Sequence, residues 1–256
     1  MKPKNIGIIG GTGRMGQWLK RFLEEAGYQV MVSGRKTEVS SKELASLCDV
    51  VIVSVPIKDT AKVIKEIGPY VRPGALLMDI TSIKKEPVEA MLAYSRSEVI
   101  GTHPLFGPSA SSIKGQIVVI CPARTKIWLP WLKDLLLSHE AKITISTPEK
   151  HDEMMTIVQG LSYFFVLATG VAIKESPFNL NEFLDHSTPF FRIILRKMHS
   201  MKQSPEMHAS IQFHNYHRIP KFLEIVNELK KVIEDQDHQK FYQIFQRLNE
   251  IPFPEE

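Results

Sequence analysis

The fold class that the sequence predicts is an α/β domain with a doubly wound, mainly parallel sheet, followed by an all-helical domain. The first half alternates short, almost continuously apolar segments with amphipathic ones, which is typical of parallel strands covered by helices on both faces. A glycine-rich turn follows the first apolar segment. After Pro148 the apolar residues recur at helical spacing and convincing strands disappear. We therefore expect two domains, 1–147 and 148–256.

The N-terminal elements follow from the length and patterning of each apolar run. Runs of about 4–8 mostly apolar residues predict buried strands, and longer amphipathic runs predict helices. We expect strands at Asn5–Ile9, Tyr28–Val32, Asp49–Val55, Ala75–Asp79, Glu98–Gly101, Gln116–Cys121 and Lys142–Ile145. We expect helices at Met15–Ala26, Lys58–Ile67, Glu86–Tyr94 and Trp128–Ser138.

The C-terminal half is expected to be helical throughout. Its prolines fall where helices should start or stop, and Thr147 or Glu149 is expected to help cap the first helix. The predicted helices are Met154–Lys174, Leu180–Leu184, Pro189–Met201, Pro205–Asn215, Ile219–Asp235 and His238–Asn249. Large apolar residues exceed what so small a bundle can bury, which favours a homodimer formed by this half. They are Phe164, Phe165, Phe190, Phe191 and Leu195.

Composition excludes several classes of protein. The net charge of +4 is spread too thinly to indicate nucleic-acid binding. Cys48 and Cys121 lie in apolar runs, so we expect buried thiols and neither a disulfide nor a metal site. The apolar run from Leu161 to Ile173 is expected to be too short to span a membrane. The chain enters its first strand directly, leaving no room for a signal peptide, which favours a cytoplasmic protein.

A G-x-G-x-x-G pattern lies between the first predicted strand and helix, at Gly11, Gly13 and Gly16. In this strand–turn–helix context the pattern predicts a Rossmann-type dinucleotide site. We expect Gly11 to allow the tight turn, Gly13 to let the backbone approach a pyrophosphate, and Gly16 to let helix and strand pack closely. The cofactor-binding residues of this turn are predicted to be Gly11, Thr12, Gly13, Arg14, Met15 and Gly16.

The end of the second predicted strand indicates which dinucleotide is preferred. Enzymes that use NAD usually carry Asp or Glu there to accept from the ribose 2′-hydroxyl. This chain instead has Ser33, Gly34, Arg35 and Lys36. Ser33, Arg35 and Lys36 would suit a 2′-phosphate through charge-assisted hydrogen bonds. We therefore expect NADP as the cofactor, with NAD as the alternative.

Two further motifs follow neighbouring predicted strands. His103 begins the segment His103-Pro-Leu-Phe-Gly-Pro108, a rigid loop expected to present the imidazole at a strand end, where open sheets bind ligands. Ser82 lies in Asp79-Ile-Thr-Ser-Ile-Lys84, at the end of the preceding strand. Since successive parallel strands end at the same sheet edge, we expect Ser82 to orient His103, which acts as a base.

These motifs together resemble the prephenate dehydrogenase family. The resemblance rests on D-x-T-S-x-K followed by H-P-L-F-G-P, behind an N-terminal glycine loop and ahead of a helical half. In that half, His151-Asp152, Met155 and Gln159-Gly-Leu-Ser resemble the first helix of the family's dimerisation domain. The segment from Asn179 to Arg192 is also similar to family members.

The resemblance implies a homodimeric oxidoreductase of tyrosine biosynthesis that converts prephenate to 4-hydroxyphenylpyruvate, with loss of CO₂ and hydride transfer to NAD(P). His103 would take the hydroxyl proton as a neutral imidazole, with an ordinary pKa near 6.5, and Ser82 would position it. Gln159 and Tyr163 would line the substrate site, although family members often have histidine in place of Tyr163. Arg192 or Arg196 would bind the ring carboxylate. Arogenate dehydrogenase and a non-catalytic nucleotide sensor are the alternatives.

Overall fold

The computed structural model describes residues 2–252, and their contacts divide the chain into two compact units. Within the described range, the sheet unit comprises residues 2–155 and 199–214. The helical unit comprises residues 156–198 and 215–252. The predicted division at residues 147 and 148 falls one helix earlier and stays a prediction.

Within residues 2–252, seven strands form one sheet. They are β1 Asn5–Ile9, β2 Gln29–Ser33, β3 Val50–Val53, β4 Leu76–Asp79, β5 Glu98–Pro104, β6 Ile117–Arg124 and β7 Lys142–Ile145. The helices are α1 Arg14–Glu25, α2 Ser41–Leu47, α3 Ile57–Ile67, α4 Lys85–Tyr94, α5 Trp128–Ser138, α6 Pro148–Met155, α7 Ser162–Glu175, α8 Leu180–Asp185, α9 Pro189–Met201, α10 Pro205–His214, α11 Ile219–Glu234 and α12 His238–Gln246. The predicted α/β class with a helical second half is confirmed.

The strand order is β2-β1-β3-β4-β5-β6-β7, and every neighbouring pair is parallel except β5 and β6. Those two strands are joined by a loop without a helix, and a chain that turns straight back must pair antiparallel. The direction of winding reverses at β1, whose neighbours are β2 and β3. A reversal of this kind opens the crevice in which doubly wound sheets bind ligands.

Each face of the sheet packs against its own set of helices. On one face Ile6, Ile8 and Ile52 pack with aromatic residues of α1 and α5, including Trp18 and Trp131. The other face, with Ile9, Val51 and Leu77 among its residues, packs with α2, α3 and α4. Because alternate residues point to opposite faces, both clusters come from the same strands.

Helix α2 was not predicted, although its start carries a local signal. The side chain of Ser40 accepts a hydrogen bond from Glu43 N at 3.2 Å, and Leu44 and Ala45 are buried. The spacing of Ser40 and Glu43 is that of a capping box, a helix-start signature readable in the sequence. With only seven residues, the helix is too short for a periodicity to stand out.

Strand β5 is longer than predicted and contains His103. It continues to Pro104, with His103 opposite Val119 and Pro104 opposite Val118 of β6. Leu105 N donates to Ile117 O, so the N–H groups of alternate residues point toward β6. The backbone nitrogen of Pro104 therefore points to the other side of β5, toward β4. Strand β4 has already ended at Asp79, which pairs with Gly101. Proline is tolerated because no ladder bond is required of it there.

The first long helix of the second half was predicted as Met154–Lys174 but has three parts. α6 begins earlier, at Pro148, with Thr147 Oγ1 accepting from Lys150 N as expected of a cap. A π-helical segment, Thr156–Leu161, separates it from α7. The combined run Pro148–Glu175 has 28 residues and is long and apolar enough to cross a membrane by length and composition alone. The prediction that the apolar run in this region is too short to span a membrane is therefore wrong.

Candidate active site

The glycine turn after β1 is built around Gly10 rather than Gly11. Gly10 has a φ of 79°, a left-handed conformation that favours glycine, whereas Gly11 does not. The N–H groups of Gly10 and Gly11 both donate to Ser33 O, at 2.8 and 3.1 Å, which ties the turn to the end of β2. The prediction that Gly11 allows the tight turn stays a prediction, and it did not include Gly10, the glycine with the left-handed backbone just before the motif.

The remaining glycines of the motif let the turn pack closely against its neighbours. A Cβ on Gly16 would lie 2.6 Å from Gly10 O, so a side chain there would collide with the turn. A Cβ on Gly11 would lie 2.6 Å from a Val32 side-chain carbon. The exposed Gly13 caps the twelve-residue α1, whose first N–H groups carry positive potential suited to phosphates. A backbone cradle of this shape fits a pyrophosphate.

The end of β2 presents two exposed cations and one buried serine. Arg35 and Lys36 are exposed, as a 2′-phosphate site requires. Ser33 is only 1% exposed, and its Oγ lies 3.0 Å from Ser41 Oγ. Its predicted role in binding a phosphate therefore receives no support from its position, since the last residue of β2 turns its side chain into the protein. The sequence pattern did not reveal this orientation.

The segment Asp79–Lys84 forms a buried clamp between the ends of β4 and β5. Asp79 Oδ2 accepts from Thr81 N at 2.9 Å, from Thr81 Oγ1 at 2.6 Å and from Lys84 Nζ. Lys84 Nζ also donates to Thr102 O at 2.6 Å, on the residue before His103. Burial lowers the pKa of Lys84, and Asp79 opposes that shift. The charged side chains of Asp79 and Lys84 thus hold the backbone at Thr102, the residue before His103.

His103 itself is buried, with 3% of its surface exposed, and it contacts a second histidine. Nδ1 of His103 lies 2.9 Å from Nε2 of His151, and Nδ1 of His151 lies 2.7 Å from Oδ1 of Asp152. Both partners belong to α6. Burial, the charge of a protonated His151 and that of Lys84 together lower the pKa of His103 well below 6.5. The expectation of an ordinary pKa is wrong because the sequence did not show this burial.

Asp152 anchors this array to α4. Its Oδ1 accepts from Lys84 N at 2.7 Å and its Oδ2 from Lys85 N at 2.9 Å. Burial raises the pKa of Asp152, but the hydrogen bonds from His151 and from these two N–H groups outweigh it, so the pKa is lowered. Asp152 is therefore held as a carboxylate.

The loop after His103 is fastened to the helix that follows the glycine turn. Trp18 Nε1 on α1 donates to Ala110 O at 2.7 Å, and the ring of Phe106 meets the Trp18 ring edge-on, with centroids 4.9 Å apart. Ser82 is half-buried between β4 and α4. Within the sheet unit, the helix after the glycine turn and the loop after His103 are thus in direct contact.

The four predicted substrate residues lie in the helical unit. Gln159 is half-buried in the π-helical segment, and Lys197 Nζ lies 4.5 Å from the centre of the Tyr163 ring. Arg192 Nε donates to Ser187 Oγ at 2.6 Å, and its Nη2 donates to Leu184 O at 3.3 Å. Arg196 is exposed on α9. Arg192 is thus engaged in the turn between α8 and α9, which leaves Arg196 as the better candidate for an anionic ligand.

The residues that the sequence did not single out for chemistry are His151, Asp152 and Lys84. His151 lies 48 positions from His103, so nothing local indicated their contact. The signal available was the pair of titratable residues side by side at a helix start. Among the residues described, no group of three or more His, Cys, Asp or Glu side chains is placed to hold a metal ion. The thiols of Cys48 and Cys121 are buried, and burial raises the pKa of each to about 11.

Comparison with known protein families matches most of the chain. Residues 21–145 match the model described as the nucleotide-binding domain of prephenate dehydrogenase. Residues 147–247 match the model described as the dimerization domain of prephenate dehydrogenase. The glycine turn precedes the first matched residue, so its assignment rests on geometry.

Curated relatives agree with the family models. The chain is 36% identical to a probable arogenate/prephenate dehydrogenase of Methanocaldococcus jannaschii, over 95% of this chain and 60% of that protein. It is 32% identical to the T-protein of Haemophilus influenzae, over 96% of this chain and 66% of that protein. The chain thus spans 60% and 66% of the length of these two relatives.

Solved structures share the fold at lower identity. Arogenate dehydrogenase from Synechocystis matches with a TM-score of 0.73 and 20% identity, covering 96% of this chain and 97% of that chain. Prephenate dehydrogenase from A. aeolicus, in complex with hydroxyphenyl propionate and NAD+, matches with a TM-score of 0.71 and 16% identity, covering 97% of each.

Proposed function

Because this chain belongs to the prephenate dehydrogenase family, we propose that it catalyses the oxidative decarboxylation of prephenate to 4-hydroxyphenylpyruvate in tyrosine biosynthesis. The single observation that carries the proposal is His103, a buried imidazole at the crevice end of β5 whose pKa is held well below 6.5. A base must be unprotonated to accept a proton, and this environment keeps it so at neutral pH.

The chemistry follows from that neutral base. Nε2 of His103 accepts the proton of the substrate's ring hydroxyl, while the hydrogen on the same carbon leaves with its electron pair. When NAD(P) is bound, its nicotinamide accepts this hydride. The bond to the ring carboxylate then breaks, CO₂ leaves, and the electrons of that bond complete the aromatic ring. His103 returns the proton to the ring oxygen, so the base is regenerated. Ser82, half-buried between β4 and α4, would position the hydroxyl beside His103.

For the cofactor we propose NADP, bound at the cradle of Gly11, Gly13 and Gly16. The absence of a carboxylate on residues 33–36 and the exposure of Arg35 and Lys36 support this preference. Ser33 is left out because its hydroxyl pairs with Ser41. Two relatives, from Schizosaccharomyces pombe and Saccharomyces cerevisiae, carry NADP in their names, which agrees with the choice, whereas the A. aeolicus structure contains NAD+.

On the substrate side we propose Arg196 for the ring carboxylate, since a guanidinium binds a carboxylate through two parallel hydrogen bonds. Gln159 and Tyr163 remain candidate contacts. We also propose a homodimer, supported by the match to a dimerization domain and by exposed apolar side chains on α7 and α9, such as Leu167 at 55% and Phe190 at 65% exposure. A second copy, rather than a membrane, would cover this surface of a cytoplasmic enzyme.

The test is the rate of reduced nicotinamide formation with four combinations of substrate and cofactor: prephenate or arogenate, with NADP or NAD. The proposal expects the highest kcat/KM with prephenate and NADP. A preference for arogenate would establish the alternative, and the name of the first relative includes both substrates. Binding of NADP without turnover of either substrate would indicate a nucleotide-sensing protein.

A further inference from the structure

Two residues at the start of α6 form a continuous hydrogen-bonded array with His103. The bonds join His103 Nδ1 to His151 Nε2 and His151 Nδ1 to Asp152 Oδ1, at 2.9 and 2.7 Å. The array ends on the backbone, because Asp152 accepts from the N–H groups of Lys84 and Lys85. His103 and His151 are 3% and 2% exposed, so the contact between the two rings is shielded from solvent.

Asp152 is the last member of the array, and its ionised state determines which ring nitrogen of each histidine carries a proton. An ionised carboxylate only accepts hydrogen bonds, so Nδ1 of His151 must carry the proton that Asp152 accepts. A neutral His151 then has its lone pair on Nε2, facing His103. Nδ1 of His103 must therefore be the donor, which leaves the lone pair of His103 on Nε2.

We propose that His151 and Asp152 are positioning residues that hold His103 as the Nδ1–H tautomer, with Nε2 unprotonated. The catalytic consequence rests on the function proposed above, whereas the tautomer is a property of the protein itself. In the opposite tautomer Nε2 would already carry a proton, and His103 would be unable to act as a base at that nitrogen.

The charge of His151 decides between the two arrangements. A doubly protonated His151 would donate from Nε2 and would impose the wrong tautomer on His103. The charges that act on His103 are those of His151 and of Lys84 before α4, and Asp152 on α6 is hydrogen-bonded to His151. Lys84 is in turn paired with Asp79 at the end of β4. Asp152 needs only the one proton on Nδ1 of His151, which leaves Nε2 of His151 to accept from His103.

The direct test is a long-range proton–nitrogen correlation spectrum of the full-length protein labelled with nitrogen-15 in its histidines. His103→Gln and His151→Phe identify the two rings by loss of their signals. We expect Nδ1–H and an unprotonated Nε2 for both rings at neutral pH, and the appearance of an Nε2–H form of His103 in His151→Phe. An Nε2–H tautomer of His103 in the wild-type protein would overturn the proposal.

Kinetics provide a second test with a built-in rescue. We expect His151→Phe to lower kcat by about 10- to 100-fold, the range for removing a partner that orients another histidine. The KM for the dinucleotide should change less than twofold. His151→Gln should recover most of the rate, because its amide can accept from His103 and donate to Asp152. Equal loss in the Phe and Gln variants at unchanged melting temperature would contradict a positioning role.

The pH profile separates positioning from mere packing. His151 lowers the pKa of His103, so the acid limb of kcat/KM should move to higher pH in His151→Phe and should not move in the matched control His139→Phe. Asp152→Asn should reduce kcat, whereas Glu149→Gln, an exposed carboxylate on the same helix, should not. If the wild-type protein oxidises neither prephenate nor arogenate, the proposed function fails, while the tautomer measurement still decides this inference.

Discussion

The sheet unit and the helical unit differ in how far each one buries its own apolar residues. All four residues of β3 and all four of β4 are buried. In the helical unit, α7 buries only Val166 of its fourteen residues, and among the described residues α8 and α12 bury none. The sheet unit therefore has a core of its own, whereas the helices leave apolar surface for another molecule to cover. We therefore expect the base to depend on the sheet unit and the assembly to depend on the helical unit.

The strongest test of this division is the loss of the base. We expect His103→Asn to lower kcat by about 10²–10⁴, the usual effect of removing a general base, because no other group then accepts the hydroxyl proton. Steady-state kinetics measure the effect, and calorimetric titration should find the affinity for NADP unchanged. His139→Asn, at the half-buried residue that follows α5, is the matched control. A near-normal kcat in His103→Asn would show that His103 of the sheet unit is not the base.

The next effect concerns the stability of the sheet unit. Lys84→Ala leaves the buried carboxylate of Asp79 without its cation, and breaking such a pair costs about 3–5 kcal/mol. Guanidinium unfolding followed by tryptophan fluorescence reports on this unit, since Trp18, Trp128 and Trp131 all lie in it. Lys85→Ala, at the neighbouring exposed residue, should be nearly neutral. Equal effects of the two substitutions would show that the clamp contributes no stability.

A charge introduced on the surface of the helical unit should dissociate the proposed dimer rather than unfold the protein. Leu167→Glu places a charge on an exposed apolar position of α7. In a symmetric dimer each copy loses the burial of a leucine, about 1.5–3 kcal/mol per side chain, so dissociation should be easier by two orders of magnitude or more. Sedimentation velocity measures this, with Gln239→Glu on α12 as the control. A wild-type protein that is fully active as a monomer would contradict the proposed assembly.

Cofactor preference should change by less. Replacing Arg35 and Lys36 together by alanine removes two exposed cations, and each charge-assisted hydrogen bond lost costs about 1.5–3 kcal/mol at most. We expect kcat/KM with NADP to fall while that with NAD stays within about twofold, because NAD has no 2′-phosphate. Lys133→Ala on α5 serves as the control. If kcat/KM falls equally with NADP and with NAD, the two cations act through the overall electrostatic potential and do not bind the 2′-phosphate.

The smallest expected effect is on pH dependence. The pKa of His103 lies well below 6.5 in the folded protein, so the base stays neutral as the pH falls through 6.5. We therefore expect kcat/KM to remain level through that pH and to decline only in more acidic solution. Because an unfolded chain protonates this histidine near pH 6.5, the same shift lowers folding stability below that pH. A decline in kcat/KM centred at 6.5 would contradict the buried environment.

What could be predicted from the sequence was whatever a short segment determines by itself. The turn around Gly11, Gly13 and Gly16 and the apolar strands belong to this class, since spacing alone indicates them. The pairing of His103 with His151 could not be predicted, because it depends on where a helix 48 positions later is packed. The burial of Ser33 depends on which face of β2 its side chain occupies, and the positive φ of Gly10 lies just outside the motif that was counted.

Pro104 has a consequence for what can enter the crevice. Beyond Asp79 the β4 side of β5 has no neighbouring strand in the described sheet, and a bare strand edge is a template for another extended peptide. A proline there withholds the N–H group that such a peptide would need, next to the histidine on which the reaction depends. The edge is thereby protected from added strands and from aggregation through them, and the crevice is kept for small molecules. Substitution by any other residue would restore that donor.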